Sequence, residues 1–127
     1  MDLTPLVPEG RQIIESYGAG RFRVSGAEFQ GSIIVFTDRT MPWSVASAAE
    51  LTLENLATVA EAGRAGTVEL LVLGCGRRMT PVPEPLGRAL KDAGVVIAAM
   101  DTGAACRTYN VLLAEGRRAA AALIALG

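Results

Sequence analysis

The sequence predicts a single α/β domain with helices packed on a mixed sheet. Three observations predict it. Ser32–Phe36, Val68–Leu73 and Val95–Met100 are short, nearly continuous apolar runs of the kind that form buried strands. Helical patterns separate or follow the last two. Ahead of them, Arg21-Phe22-Arg23-Val24 alternates polar with apolar, the mark of a half-buried strand. Strands in front and strand–helix–strand–helix behind give a mixed sheet. The three apolar runs are expected as adjacent central strands, covered on both faces and joined by right-handed crossovers where parallel.

Residues 1–12, with Pro5, Pro8 and Gly10, read as an irregular arm of the single domain 1–127. Ile13–Tyr17 is a short strand, Gly26 breaks the next one, and Thr37–Ser44 is a loop holding Pro42 and Trp43. Thr52 is a candidate N-cap for a helix to about Arg64. Its Leu53, Leu56, Ala57, Ala60 and Gly63 share one face, and Gly63 and Gly66 bracket its end. After Gly74-Cys75-Gly76 comes a loop punctuated by Pro81 and Pro83. Pro85 suits the first turn of a helix to Ala93, where a missing N–H costs nothing. Beyond Met100, Ala105, Cys106, Tyr109, Leu112 and Leu113 share one arc, and Ala119, Ala120, Leu123 and Ile124 continue it. A fresh helix at Arg117-Arg118 would set two cations at a positive dipole end. One long C-terminal helix, Gly103 to about Leu126 and kinked at Gly116, is therefore expected.

Composition narrows the function. Half of the 127 residues are hydrophobic, enough for a sizeable core, and the net charge is −1. The basic residues are scattered apart from Arg77-Arg78 and Arg117-Arg118, so a nucleic-acid partner is not expected. No apolar run approaches the roughly 18 residues of a membrane span. Asp2, Glu9 and Glu15 interrupt the first twenty residues, unlike a signal peptide or a mitochondrial presequence. A bacterial, cytoplasmic protein is the expectation. Cys75 and Cys106 have no metal-ligand spacing. There is no His, which removes Ser-His and Cys-His pairs and His-ligated metals. Neither a metal nor a cofactor is expected.

The candidate site lies where Val95–Met100 stops at Asp101-Thr102 and a helix begins. Ligands in open α/β sheets gather at such strand ends, and helix N-termini favour anions. Gly74, Gly76, Arg77, Asp101, Thr102, Arg107 and Asn110 form the candidate surface. Each has a plainer reading beside it. Gly74-Cys75-Gly76 is a tight turn, or an anion-accepting one aided by Arg77 and Arg78; Met79 stands where a dinucleotide fingerprint would place its third glycine. Thr102 caps the last helix and Asp101 complements its dipole, or both meet a ligand. Arg107 and Asn110 lie on a solvated face or bind a partner. Cys106, beside Arg107 in a first helical turn, has features that lower a thiol pKa, yet its arc is apolar and favours packing. Cys75 reads as part of an exposed turn. Trp43 covers a core edge or anchors a partner.

Several segments together resemble one family. They are Tyr17-Gly18-x-Gly20-x-Phe22-Arg23-Val24, Gly31-Ser32, Trp43, Glu69-Leu70-Leu71-Val72-Leu73-Gly74-x-Gly76 and Met100-Asp101-Thr102-x-Ala104-Ala105-x-Arg107-Thr108-Tyr109-Asn110-Val111-Leu112. The family is that of the mitochondrial assembly factor 3 of respiratory complex I and its bacterial and archaeal homologues. The resemblance spans about Tyr17 to Leu126. It implies a three-layer α/β fold with a central mixed five-stranded sheet. It also implies, for the mitochondrial branch, a non-catalytic role in building complex I by binding other proteins. Respiratory-complex subunits or assembly factors are then the expected partners, and a cytoplasmic protein would reach the inner membrane through one of them. Cys75 stands where Thr is common in that family. The alternative is a small-ligand-binding protein or enzyme with its site at the Gly74–Arg77 turn and the Asp101–Asn110 segment.

Overall fold

The computed structural model describes residues 10–127, so most of the expected arm lies outside the described residues. The chain opens with a three-stranded antiparallel sheet of β1 (Ile14–Gly18), β2 (Arg21–Val24) and β3 (Ala27–Gln30). Gly26 breaks the strand after Val24, as expected, and turns the chain into β3. Ser25 and Gly26 take φ of 44° and 85°, the paired positive values of a two-residue hairpin turn that matches strand twist.

A five-stranded sheet follows, built from β4 (Ile33–Val35), β5 (Thr40–Pro42), β6 (Leu70–Gly74), β7 (Val96–Met100) and β8 (Ala119–Leu123). Its order is β5-β4-β8-β6-β7. β8, β6 and β7 run parallel, while β4 is antiparallel to both β8 and β5. The helices are α1 (Ala57–Arg64), α2 (Glu84–Asp92) and α3 (Thr102–Ala114).

Strand periodicity splits the core in two. Ile34, Leu71, Leu73, Ala120 and Ala122 pack with Leu56, Val59, Leu86 and Leu90 on the α1–α2 side. Ile33, Val35, Val72, Ala121 and Leu123 pack with Cys106, Tyr109 and Leu113 of α3 and with Phe22 and Val24 of the small sheet. The result is three layers with the mixed sheet in the middle.

Local signals placed several elements. Thr52 Oγ1 accepts from Asn55 N–H at 3.1 Å while Asn55 Oδ1 accepts from Thr52 N–H at 3.0 Å. This reciprocal cap starts a short 3-10 turn, Glu54–Leu56, that leads into α1. Pro85 lies in the first turn of α2, as expected.

The long C-terminal helix is corrected. α3 stops at Ala114, and Gly116 takes φ +73°. Its N–H donates to Leu113 O and that of Arg117 to Leu112 O, each at 3.0 Å. These are the two bonds of a Schellman cap, so Gly116 ends the helix instead of bending it. Arg117 and Arg118 lead into a strand, and no positive dipole end meets them. Glu69 lies beside both, 3.8 Å from Arg117 and 2.8 Å from Arg118.

The expected strand order is corrected with it. β8 lies between β4 and β6, so Ser32–Phe36 and Val68–Leu73 are not neighbours. β7 is an edge strand, and its Val96 is 57% exposed. Within the expected Thr37–Ser44 loop, Thr40–Pro42 forms the other edge.

Candidate functional site

Because β6, β7 and β8 run parallel, their carboxyl ends, Gly74, Met100 and Leu123, share one rim of the sheet. Thr102 stitches that rim together. Its side chain is fully buried. Its Oγ1 accepts from Gly76 N–H at 2.9 Å and donates to Ile124 O at 2.7 Å, and its own N–H donates to Gly76 O at 2.8 Å. One hydroxyl thus ties the exits of β6 and β8 to the start of α3. The approach is close enough that a Cβ on Gly74 would lie 3.0 Å from Thr102 Cα.

Asp101, not Thr102, caps α3. Its carboxylate accepts from Ala104 N–H at 2.9 Å, and its carbonyl accepts from Ala105 N–H at 2.9 Å. The amides of Thr102, Ala104 and Ala105 are therefore bonded within the chain. The anion-binding reading of this helix end thereby loses three of its first four N–H donors.

Asn110 holds the small sheet to α3. Its Oδ1 accepts from Ile14 N–H at 3.0 Å and its Nδ2 donates to Ile14 O at 2.7 Å. The carboxamide pairs with one residue of β1 as a neighbouring strand would. Arg107 Nη1 donates to Tyr17 Oη at 3.0 Å at the surface, and a Cβ on Gly103 would meet that hydroxyl at 2.6 Å. Arg107 and Asn110 line a shallow hollow of about 380 Å³ between β1 and α3.

Gly76 and Arg77 line a different and larger cleft of about 710 Å³. The Ala46–Leu51 segment, the loop after β6 and the segment after β8 enclose it. The seven candidate residues therefore do not converge on one surface. Gly76 and Arg77 face the cleft, Arg107 and Asn110 the hollow, and Gly74, Asp101 and Thr102 form the framework between them. Sequence reasoning did not associate Ser47, Leu51, Ile124 and Leu126 with this cleft. The last two follow β8, in a stretch that helical periodicity claimed.

Both thiols and the Tyr109 hydroxyl are inside. Burial pushes the Cys106 thiol up from 9.0 to about 12, although the neighbouring Arg107 charge opposes the shift. Burial also raises Tyr109, whose hydroxyl donates to Phe36 O at 3.3 Å. Cys75 is buried as well, contrary to its reading as exposed, with Sγ 3.7 Å from Thr80 O. Trp43 is buried and donates from Nε1 to Asn55 O at 2.7 Å, so it covers a core edge.

Fold and site together define a three-layer α/β protein whose conspicuous polar residues mostly fasten one layer to the next. Over residues 14–124 the chain matches the family described as a protein of unknown function, DUF498/DUF598, and it belongs to that family. An uncharacterized protein of Rhodobacter capsulatus is 38% identical over 87% of this chain and 82% of its own length. NADH dehydrogenase [ubiquinone] 1 alpha subcomplex assembly factor 3 of Xenopus tropicalis is 32% identical over 87% of this chain, and the human protein of that name 28%. The chain spans only 60% and 59% of those two proteins. Among solved structures, a Bartonella henselae protein described as an outer membrane protein superposes with TM-score 0.85 at 35% identity, covering 96% of this chain and all of that one. A Bordetella pertussis protein described as a Mth938-like domain superposes with TM-score 0.85 at 29% identity, covering all of this chain and 94% of that one. No helix among the described residues is long and apolar enough to cross a membrane.

Proposed function

We propose that this protein is a non-catalytic binding protein that serves in building respiratory complex I. The observation that carries this reading is the 32% identity to an assembly factor 3 across 87% of the chain, a stretch that takes in nearly the whole fold. The chemistry of the site supports it. The chain has no His, and its Cys106 and Tyr109 protons are held by burial. On this reading the protein meets subunits or fellow assembly factors in the cytoplasm and reaches the inner membrane through them. Deleting its gene in the native host should lower the amount of assembled complex I on native gels, together with NADH:ubiquinone activity. Unchanged complex I in the deletion strain would refute the assembly role.

A second reading draws on the cleft of about 710 Å³ at the carboxyl ends of parallel strands, the usual ligand position in such sheets. Here the protein would hold a small molecule. The turn at Gly74 leads into a proline-rich loop and α2 does not begin until Glu84, so NAD, NADP and ATP are not the expected ligands. Saturable calorimetric heat with any small metabolite, lost on mutation of the cleft, would favour this reading over the first.

A further inference from the structure

We infer that this cleft is the docking site for an acidic, aliphatic segment of a protein partner, an inference that rests on the binding-protein reading above. Leu51, Ile124 and Leu126 give it apolar lining, Pro81 and Pro83 stiffen one wall, and Arg77 and Arg78 contribute to its lining as well.

Charge points to the occupant. Among the described residues no Asp or Glu side chain lines the cleft. Glu50, between Ala49 and Leu51, is not part of the lining; its Oε2 accepts from the N–H groups of Ala46 and Ser47, at 2.6 and 2.9 Å. Arg21, Arg23, Arg39, Arg88, Arg117 and Arg118 each lie within 4.0 Å of a carboxylate. Arg11, Arg64, Arg77, Arg78 and Arg107 have no Asp or Glu partner at that distance among the described residues, and of these only Arg77 and Arg78 line the cleft. Arg77 makes one bond, from Nη2 to Gly127 O at 3.2 Å, and a guanidinium carries five N–H donors. Two cations with free donors beside an apolar surface match carboxylates set among aliphatic side chains, and Arg pairs carboxylates in bidentate fashion.

Other anions fit less well. Phosphate sites converge backbone amides, and the Gly76 N–H is already taken by Thr102. A polyanion needs a broad basic face, and the net charge is −1. The walls are also pre-formed. Ile124 N–H donates to Gly74 O at 2.9 Å and Ala125 N–H to Ser32 Oγ at 3.0 Å, so little ordering is left for binding to supply.

The test is site-specific photo-crosslinking of the full chain in its native host. A benzophenone amino acid replaces Ala48 in the cleft, or Val96 on β7 as a control. The Ala48 position should give a protein crosslink absent from Val96, and the captured segment should contain Asp or Glu beside Leu, Ile or Val. Arg77→Glu with Arg78→Glu should abolish it; Arg77→Gln with Arg78→Gln serves if the charge reversal alters the melting temperature. The captured segment, made as a peptide, should bind the purified protein. It should lose roughly tenfold in affinity, about 1.4 kcal/mol, when its acids become amides. A crosslink to lipid or nucleic acid, a captured segment without acids, persistence in the Arg variants, or no signal above Val96 would each overturn the site. A deletion strain lacking complex I with no Ala48 crosslink keeps the assembly role and removes this surface. Normal complex I with the expected crosslink does the reverse.

Discussion

Thr102 and Asn110 are polar residues at the candidate site, and both spend their side chains on backbone. Replacing Thr102 with Val keeps the shape but leaves Gly76 N–H and Ile124 O without their partner. Unsatisfied buried groups cost about 1–3 kcal/mol, so Thr102→Val should lower unfolding free energy by that order in urea titrations. Asn110→Ala strips both bonds from Ile14 and should cost about 1–2 kcal/mol by the same measurement. Arg107→Ala removes one surface bond to Tyr17 and should stay within about 0.5 kcal/mol. A spectrum of that kind separates the two neighbours, which the sequence pattern treats alike. A variant of Asn110 as stable as the parent would show that β1 docks without it.

At the scale of elements, β8 organises the sheet. Its five residues, Ala119–Leu123, are all buried. It pairs with β4 on one side and β6 on the other, and its side chains meet α3 on one face and α2 and α1 neighbours on the other. Small residues are what two close-packed faces admit. Ala121→Leu would force three further carbons into the layer shared with Val35, Val72 and Tyr109. Overpacking costs about 1–3 kcal/mol, and the urea midpoint of Ala121→Leu should fall accordingly. An unchanged midpoint would mean that the α3 layer yields more readily than this packing implies.

For the molecule as a whole, the buried acids predict loss of stability in alkali. The unfolded chain releases the Cys106 proton near 9.0, whereas the folded chain holds it to about 12. Between those values unfolding releases a proton, so stability is intact below the lower pKa and falls above it. The slope approaches about 1.4 kcal/mol per pH unit. Tyr109, also raised by burial, adds to the decline at the upper end. Unfolding free energies measured across this window should fall less steeply for Cys106→Ala than for the parent. Parallel slopes would show that the thiol is solvated. The same burial makes slow labelling of native Cys106 by thiol reagents the expected result.

Strand and helix identity was legible wherever chemistry is local. Ile14–Gly18, Arg21–Val24, Ile33–Val35, Leu70–Gly74 and Val96–Met100 follow alternating or β-branched runs, and Thr52, Pro85 and Asp101-Thr102 mark helix starts. The apolar arc of α3 correctly placed Cys106 and Tyr109 inside. What the chain could not announce locally was β8. A run of alanines has the highest helix propensity, and only the vacancy between β4 and β6 makes it a strand, because pairing both neighbours satisfies backbone groups that a helix there would leave unpaired. The strand order, the edge position of β7 and the cleft beside Arg77 all follow from that one placement. Sequence by itself determined the elements with short-range signals and the polar residues at strand ends. Tertiary structure alone decided which of those residues fasten the fold and which face solvent, since a side chain's hydrogen-bond partners come from segments tens of residues away.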